Sequence, residues 1–120
     1  VSFFYDVNGL WHQYLSPKLR IIIVNNTGGG IFRIIKGPSS TNQLEKFFES
    51  RHSTRAKNVA ITYGLGYRAA SNESELKTVL ASFFGDGEQA EILEIFTPTE
   101  SNDQVLKDYF LAINKALQDA

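Results

Sequence analysis

The sequence predicts an α/β fold, a parallel sheet layered with helices, and three observations predict it. The run Leu19-Arg20-Ile21-Ile22-Ile23 is almost wholly apolar, the pattern of a strand covered on both faces at the centre of a parallel sheet. Segments of helical period alternate with short strand-like runs, in the order helix, strand, helices, strand, helix, strand, helix. Asn, Asp, Ser and Gly stand at the joints, where caps and turns need them.

Ser2 to Leu15 reads as the first helix. Phe4, Val7, Leu10, Trp11 and Tyr14 form its apolar stripe, Ser2 caps it and Pro17 stops it. Arg20 to Asn25 is the first complete strand. Gly28 to Ile35 is loop with a short helical turn, and Lys36 to Asn42, with Gly37, Pro38, Ser39 and Ser40, is a flexible connection or lid. Leu44 to Phe48 and Arg55 to Tyr63 read as helices. Gly64 and Gly66 break the chain around a short strand, Leu65 to Ala69. Asn72 and Glu75 have capping-box spacing for a helix through Phe84, with Leu76, Val79, Leu80, Phe83 and Phe84 as its apolar face. Gly85-Asp86-Gly87 is a turn and Ala90 to Phe96 a strand. Ser101 or Asn102 caps the last helix, Asp103 to Leu117, which is expected to bury Val105, Leu106, Tyr109, Ile113 and Leu117. No repeat, low-complexity tract or linker divides the sequence, so residues 1–120 read as one domain.

With 120 residues, 42% hydrophobic and 21% charged, the composition is that of an ordinary globular domain with a modest core. A net charge of −1 sets up no field for nucleic acid or a membrane surface, and neither partner is expected. Arg51, His52, Arg55 and Lys57 make a short basic cluster that reads as a solvated helix face. Cys is absent, which excludes disulfides, thiolate metal sites and Cys nucleophiles, and fits a cytoplasmic location. No signal peptide or membrane span is visible. The sequence starts at Val1 and contains no Met, and Val1-Ser2-Phe3-Phe4 reads as a strand end running into a helix. A piece of a longer protein is therefore expected.

The chemistry concentrates in Val24-Asn25-Asn26-Thr27-Gly28-Gly29-Gly30-Ile31-Phe32. In open α/β sheets, ligands bind beyond the carboxyl ends of the strands. Asn offers a neutral oxygen suited to a hard cation that has anionic ligands elsewhere. Glycines let backbone groups approach closely. Together these residues could hold an octahedral Mg²⁺ gripping a diphosphate. The same residues are also those of a plain strand-to-loop turn.

The pattern resembles the diphosphate-binding domain of thiamine diphosphate enzymes. Their motif is Gly-Asp followed, about two dozen residues later, by Asn-Asn. Asn25-Asn26 supplies the second half, and the Gly-Asp would fall just before Val1. Ser2-Phe3-Phe4-Tyr5-Asp6-Val7-Asn8-Gly9-Leu10 and Ile22 to Phe32 are similar to one branch, the 2-succinyl-5-enolpyruvyl-6-hydroxy-3-cyclohexene-1-carboxylate synthases of menaquinone biosynthesis. Asn-Asn-X-Gly-Gly-X-Ile-Phe is the more specific part. Tyr63 to Tyr67 and Glu91 to Ile95 fit the family's C-terminal end.

The resemblance implies a three-layer, thiamine diphosphate-binding domain, incomplete in this chain, and a site for thiamine diphosphate and Mg²⁺. Asn26 would give the metal a side-chain oxygen and Gly28 a carbonyl. Ser2 and Phe3 would offer N–H groups to the diphosphate. Gly29 and Ile31 would lie along the cofactor. Phe32, Ile35 and Arg33 would face the substrates, and Lys36 is a further cation nearby. The family reaction decarboxylates 2-oxoglutarate on the cofactor and adds the carbanion to isochorismate. The activating Glu lies in an N-terminal domain of a second subunit, so the piece alone is expected to be inactive. Another thiamine diphosphate decarboxylase or carboligase of the acetolactate synthase kind, and a non-catalytic α/β binding module, are the alternative readings.

Other groups have plainer readings. Gly85-Asp86-Gly87 follows a helix and precedes no Asn-Asn, so it reads as a turn. His12 reads as a surface residue. His52 reads as solvated or capping, with the substrate as the other option. Glu73, Glu75, Glu91 and Glu94 read as surface charges, and Trp11 as core or subunit interface.

Overall fold

The computed structural model describes residues 2–118; the expectation placed on Val1 lies outside them. The chain forms two compact units, one of Val1–Asn25 with Ser53–Thr97 and one of Asn26–His52 with Pro98–Ala120.

The first unit contains an all-parallel three-stranded sheet. Its strands are β1 (Arg20–Asn25), β2 (Gly66–Ala70) and β3 (Glu91–Phe96), in the order β1-β3-β2. Ile21 pairs with Ile92, and Tyr67 pairs with Ile92 from the other side. β3 is therefore the central strand, not β1. Its Ile92, Leu93 and Glu94 are fully buried, whereas Ile22 and Val24 of β1 are exposed. The apolar run of β1 signalled a strand, but only Ile21 and Ile23 pack on the core in this chain.

Helices lie against both faces. Alternation along each strand puts Ile21, Ile92 and Tyr67 on one face, where they meet Ala56 and Ala60 of α3 (Ala56–Tyr63). Arg68, one residue along, projects to the other face and donates to Ser82 Oγ of α4 (Glu73–Phe83) at 2.7 Å. Asn72 caps α4 by accepting from Glu75 N–H at 2.9 Å. The Glu75 carboxylate reaches back one residue further than a capping box requires, to Ser71 N–H at 2.8 Å. Arg20 closes the other end of α4, donating from Nε to the Phe83 carbonyl at 2.6 Å and from Nη2 to Gly85 at 2.7 Å. A cation there suits the exposed carbonyls and the helix dipole. Gly64, at φ 68°, ends α3 in the left-handed conformation.

The N-terminal helix is shorter than its stripe suggests. α1 is one turn, Ser2–Tyr5, followed by a 3₁₀ turn, Val7–Leu10. Asn8 and Gly9 are weak helix formers, and Tyr5, Trp11 and Tyr14 are exposed, so little packing extends the helix. Trp11 is thus not a core residue of this chain.

In the second unit, α2 is the expected single turn, Ile31–Ile34. Pro38–Ser40 makes a 3₁₀ turn within the expected flexible stretch, and Leu44–Phe48 a π-helical turn. α5 spans Asn102–Gln118 and contacts α2. None of its side chains is buried. Val105, Leu106, Tyr109, Ile113 and Leu117, expected inside, are exposed. Their helical spacing was read correctly, but among the described residues no element covers them.

Candidate functional site

The loop after β1 is built by strain and close approach. Thr27 has φ 62°, the left-handed region that a β-branched residue avoids. Such strain costs about 1–3 kcal/mol and persists only where the surroundings hold it. The Thr27 carbonyl accepts from His52 N–H at 2.8 Å, and Thr27 Oγ1 lies 2.9 Å from Thr99 Oγ1. Gly29 N–H donates to the Glu49 carbonyl at 2.6 Å. A Cβ on Gly28 would lie 2.8 Å from Glu49 Cγ, and one on Gly30 would run into Asn26 Nδ2. Packing requires Gly28, whose neighbour is the buried Glu49 with its backbone, whereas at Gly30 the Asn26 side chain would have to move.

Oxygen atoms remain for a cation. Asn26 Oδ1 accepts only a long bond, 3.4 Å, from Gly28 N–H. Gly28 is buried, and among the described residues no donor reaches its carbonyl. Both are neutral oxygens, the donor type that a hard cation takes alongside anionic ligands. Among the described residues no group of three or more His, Cys, Asp and Glu side chains is placed to hold a metal.

The structure brings Asn26, Gly28, Gly29, Ile31, Phe32, Arg33 and Ile35 together in one unit, while Ser2 and Phe3 belong to the other. Phe3 packs against the Ala56, Ala60 and Ile92 core. Ile31 and Ile35 are exposed. Phe32 stacks obliquely on Phe48, ring centroids 5.7 Å apart. Arg33 is committed to Glu49: Nε donates to Oε1 and Nη2 to Oε2, both at 2.8 Å. Nη2 also reaches Glu45 at 3.1 Å. Only Nη1 has no acceptor among the described residues. Lys36 is exposed.

Two acidic groups carry more of the structure than the sequence suggested. Glu49 is fully buried between Arg33 and Arg51, whose Nε lies 3.3 Å from Oε2. The hydrogen bonds from Arg33 hold its carboxyl below the usual carboxylate range, against the opposing effect of burial. Arg51 pairs as well with Glu45 and Glu100, so it is part of an ion-pair network and not a solvated helix face. Glu94, expected at the surface, is also fully buried. It accepts from Asn25 Nδ2 at 2.6 Å, from Tyr67 Oη at 2.7 Å, and from Ala56 N–H at 3.1 Å to each oxygen. α3 has no side-chain cap of its own, and Glu94 supplies one from the sheet. Burial, with the Glu94 bond adding to it, pushes the Tyr67 hydroxyl well above its ordinary range. A charge amid Ile92, Leu93, Ile95 and Phe96 was the available signal. Glu91 is partly buried and bound to Arg68 at 2.7 Å, whereas Glu73 and Glu75 are exposed as expected. His12 is exposed, and its Nδ1 accepts from Tyr14 N–H.

A parallel α/β sheet with an asparagine–glycine loop at the carboxyl end of a strand defines the class: an α/β domain with a candidate ligand loop beyond its sheet. No known family profile matches the chain. Curated relatives are more specific. The 2-succinyl-5-enolpyruvyl-6-hydroxy-3-cyclohexene-1-carboxylate synthase of Christiangramia forsetii is 44% identical over 92% of the chain. Those of Porphyromonas gingivalis and Cytophaga hutchinsonii are 45% and 38% identical over 95% and 97%. The chain spans 19%, 20% and 21% of the lengths of these three proteins. Over the segment that it covers, the chain is a homologue of these synthases.

Proposed function

We propose that the chain is part of a thiamine diphosphate- and Mg²⁺-dependent transferase of menaquinone biosynthesis. The enzyme would decarboxylate 2-oxoglutarate and join the remaining unit to isochorismate, giving the product named by the relatives. The observation that carries this reading is the unclaimed Gly28 carbonyl beside the weakly bonded Asn26 amide at the end of β1. The relatives' printed name supports the synthase class.

On this reading Asn26 and Gly28 hold Mg²⁺, and the N–H groups of Ser2 and Phe3 meet the diphosphate. Gly29 and Ile31 lie along the cofactor. When bound, the cofactor supplies the carbanion-stabilising chemistry of decarboxylation and carbon–carbon bond formation. Ile31, Phe32 and Ile35 keep water from the reacting carbons, and Arg33 offers Nη1 to a substrate carboxylate while Glu49 fixes its other nitrogens. The rest of a longer polypeptide and a second subunit complete the site.

Replacing Asn26 tests the metal assignment. In the full-length protein, Asn26→Ala should weaken Mg²⁺-dependent binding of thiamine diphosphate by more than the about tenfold typical of losing a group that only supports a ligand. Titration calorimetry at limiting Mg²⁺ reads this directly. Wild-type affinity in the variant would remove Asn26 from the metal site.

A further inference from the structure

The segment Phe48–His52 grips the loop Thr27–Arg33 at every level of its structure. His52 N–H holds the Thr27 carbonyl at 2.8 Å and the Glu49 carbonyl holds Gly29 N–H at 2.6 Å. The Glu49 carboxylate takes Arg33 through two parallel bonds of 2.8 Å, and Phe48 packs on Phe32. Ser50, next to Glu49, has φ 47°, so both the gripping and the gripped segments contain a strained residue. A fully buried carboxylate is costly unless its geometry is well satisfied, and here two guanidinium groups satisfy it.

The consequence is selective. Gly28 N–H is turned to Asn26 Oδ1 and Gly29 N–H is consumed by Glu49, while the Gly28 carbonyl is left without a donor. We propose that Glu49 is a positioning residue. Through Arg33 and Gly29 it holds the loop in the one backbone conformation that leaves the Gly28 carbonyl and the Asn26 amide for Mg²⁺. The inference rests on the reading of this loop as a Mg²⁺ and thiamine diphosphate site. Its carboxylate is taken up by Arg33 and Arg51, so the role assigned to Glu49 is to hold the loop and not to serve as a ligand. It acts as the partners that orient metal ligands act, by fixing the geometry of groups that do.

The test is the Mg²⁺ concentration that half-saturates binding of thiamine diphosphate to the full-length protein, measured by equilibrium dialysis alongside the melting temperature. Glu49→Gln removes the charge and sets an amide N–H₂ against the Arg33 donors. It should raise the Mg²⁺ requirement about tenfold or more. Arg33→Lys keeps a cation for the buried carboxylate but cannot form the paired grip, so it tests the proposal even if Glu49→Gln fails to fold. It should raise the requirement in the same direction. Ile92→Val, a core trim remote from the loop, should lower melting without moving the Mg²⁺ requirement. The double variant should be no worse than Glu49→Gln alone, because both act through one contact. An unchanged Mg²⁺ requirement in Glu49→Gln or Arg33→Lys would overturn the positioning role while leaving the cofactor site standing. A wild-type protein whose thiamine diphosphate binding ignores Mg²⁺ would overturn the site and this inference together.

Discussion

At the residue scale, Glu94 shows how a charge becomes structural. Its carboxylate receives donors from Asn25, Ala56 and Tyr67, which join the end of β1, the start of α3 and β2 to the central strand. Removing it leaves the Ala56 N–H and the Tyr67 hydroxyl without their acceptor, each worth about 1–3 kcal/mol when left unsatisfied in a buried place, while Asn25 Nδ2 keeps its 3.3 Å bond to the Thr54 carbonyl. Glu94→Ala should therefore cost about 3 kcal/mol or more in urea denaturation, and Glu94→Gln clearly less, because one acceptor oxygen remains. A loss under about 1 kcal/mol in the alanine variant would mean that water reaches the donors. Glu94 was misread because its neighbours in sequence gave no partner. Asn25 lies 69 positions away and Ala56 lies 38 away. Asn26 and the glycines stood out as residue types at a strand end, but the contact that requires Gly28 is with Glu49, far along the sequence.

At the scale of elements, local signals located most boundaries. Leu44–Phe48 was found where expected, α3 began one residue later than expected, and β2 was displaced by one residue. α2 is the informative case. One turn of helix cannot hold itself together, and Phe32 on Phe48 together with Arg33 on Glu49 supplies what it lacks. Phe32→Ala should cost about 1–3 kcal/mol for a half-buried ring and, if Phe32 also walls the reaction pocket, lower kcat/KM for 2-oxoglutarate or isochorismate. Thermal melts and steady-state kinetics of the full-length protein separate the two effects. Normal kinetics with lowered melting would make Phe32 an anchor of α2 and nothing more. The expected length of the first helix failed for the converse reason. Its apolar stripe was real, but it is half-covered only as far as Leu10, with Trp11 and Tyr14 exposed, and hydrophobic periodicity supports a helix only where the stripe is covered.

At the scale of the whole molecule, the ligand inventory decides what the chain can do by itself. Asn26 and Gly28 offer neutral oxygens, and the described residues place no acidic cluster for a metal. Mg²⁺ bound with a diphosphate is usually anchored through one or two carboxylates as well. The 120-residue chain on its own should therefore show no micromolar, Mg²⁺-dependent uptake of thiamine diphosphate in calorimetry, while a full-length synthase should. Micromolar uptake by this chain would mean that its metal shell is complete without a further carboxylate. The exposed apolar residues of α5 and of β1 belong to this scale too, since among the described residues no element covers them.

The sequence by itself determined the α/β class, the strand β1 and the cap at Asn72, because each depends on periodicity or on backbone demands set within a few residues, whereas the loop after β1 is held by Glu49 and His52. Tertiary structure decided that β3 and not β1 is central, that Glu94 and Glu49 are buried, and that Arg33 is spent largely on Glu49. Burial and ion pairing depend on which distant segments meet. Glu49 lies 16 residues from Arg33 and Glu94 lies 69 from Asn25, so neither partner is visible from a local window. A carboxylate in such a place is held by donors that only the folded chain brings to it.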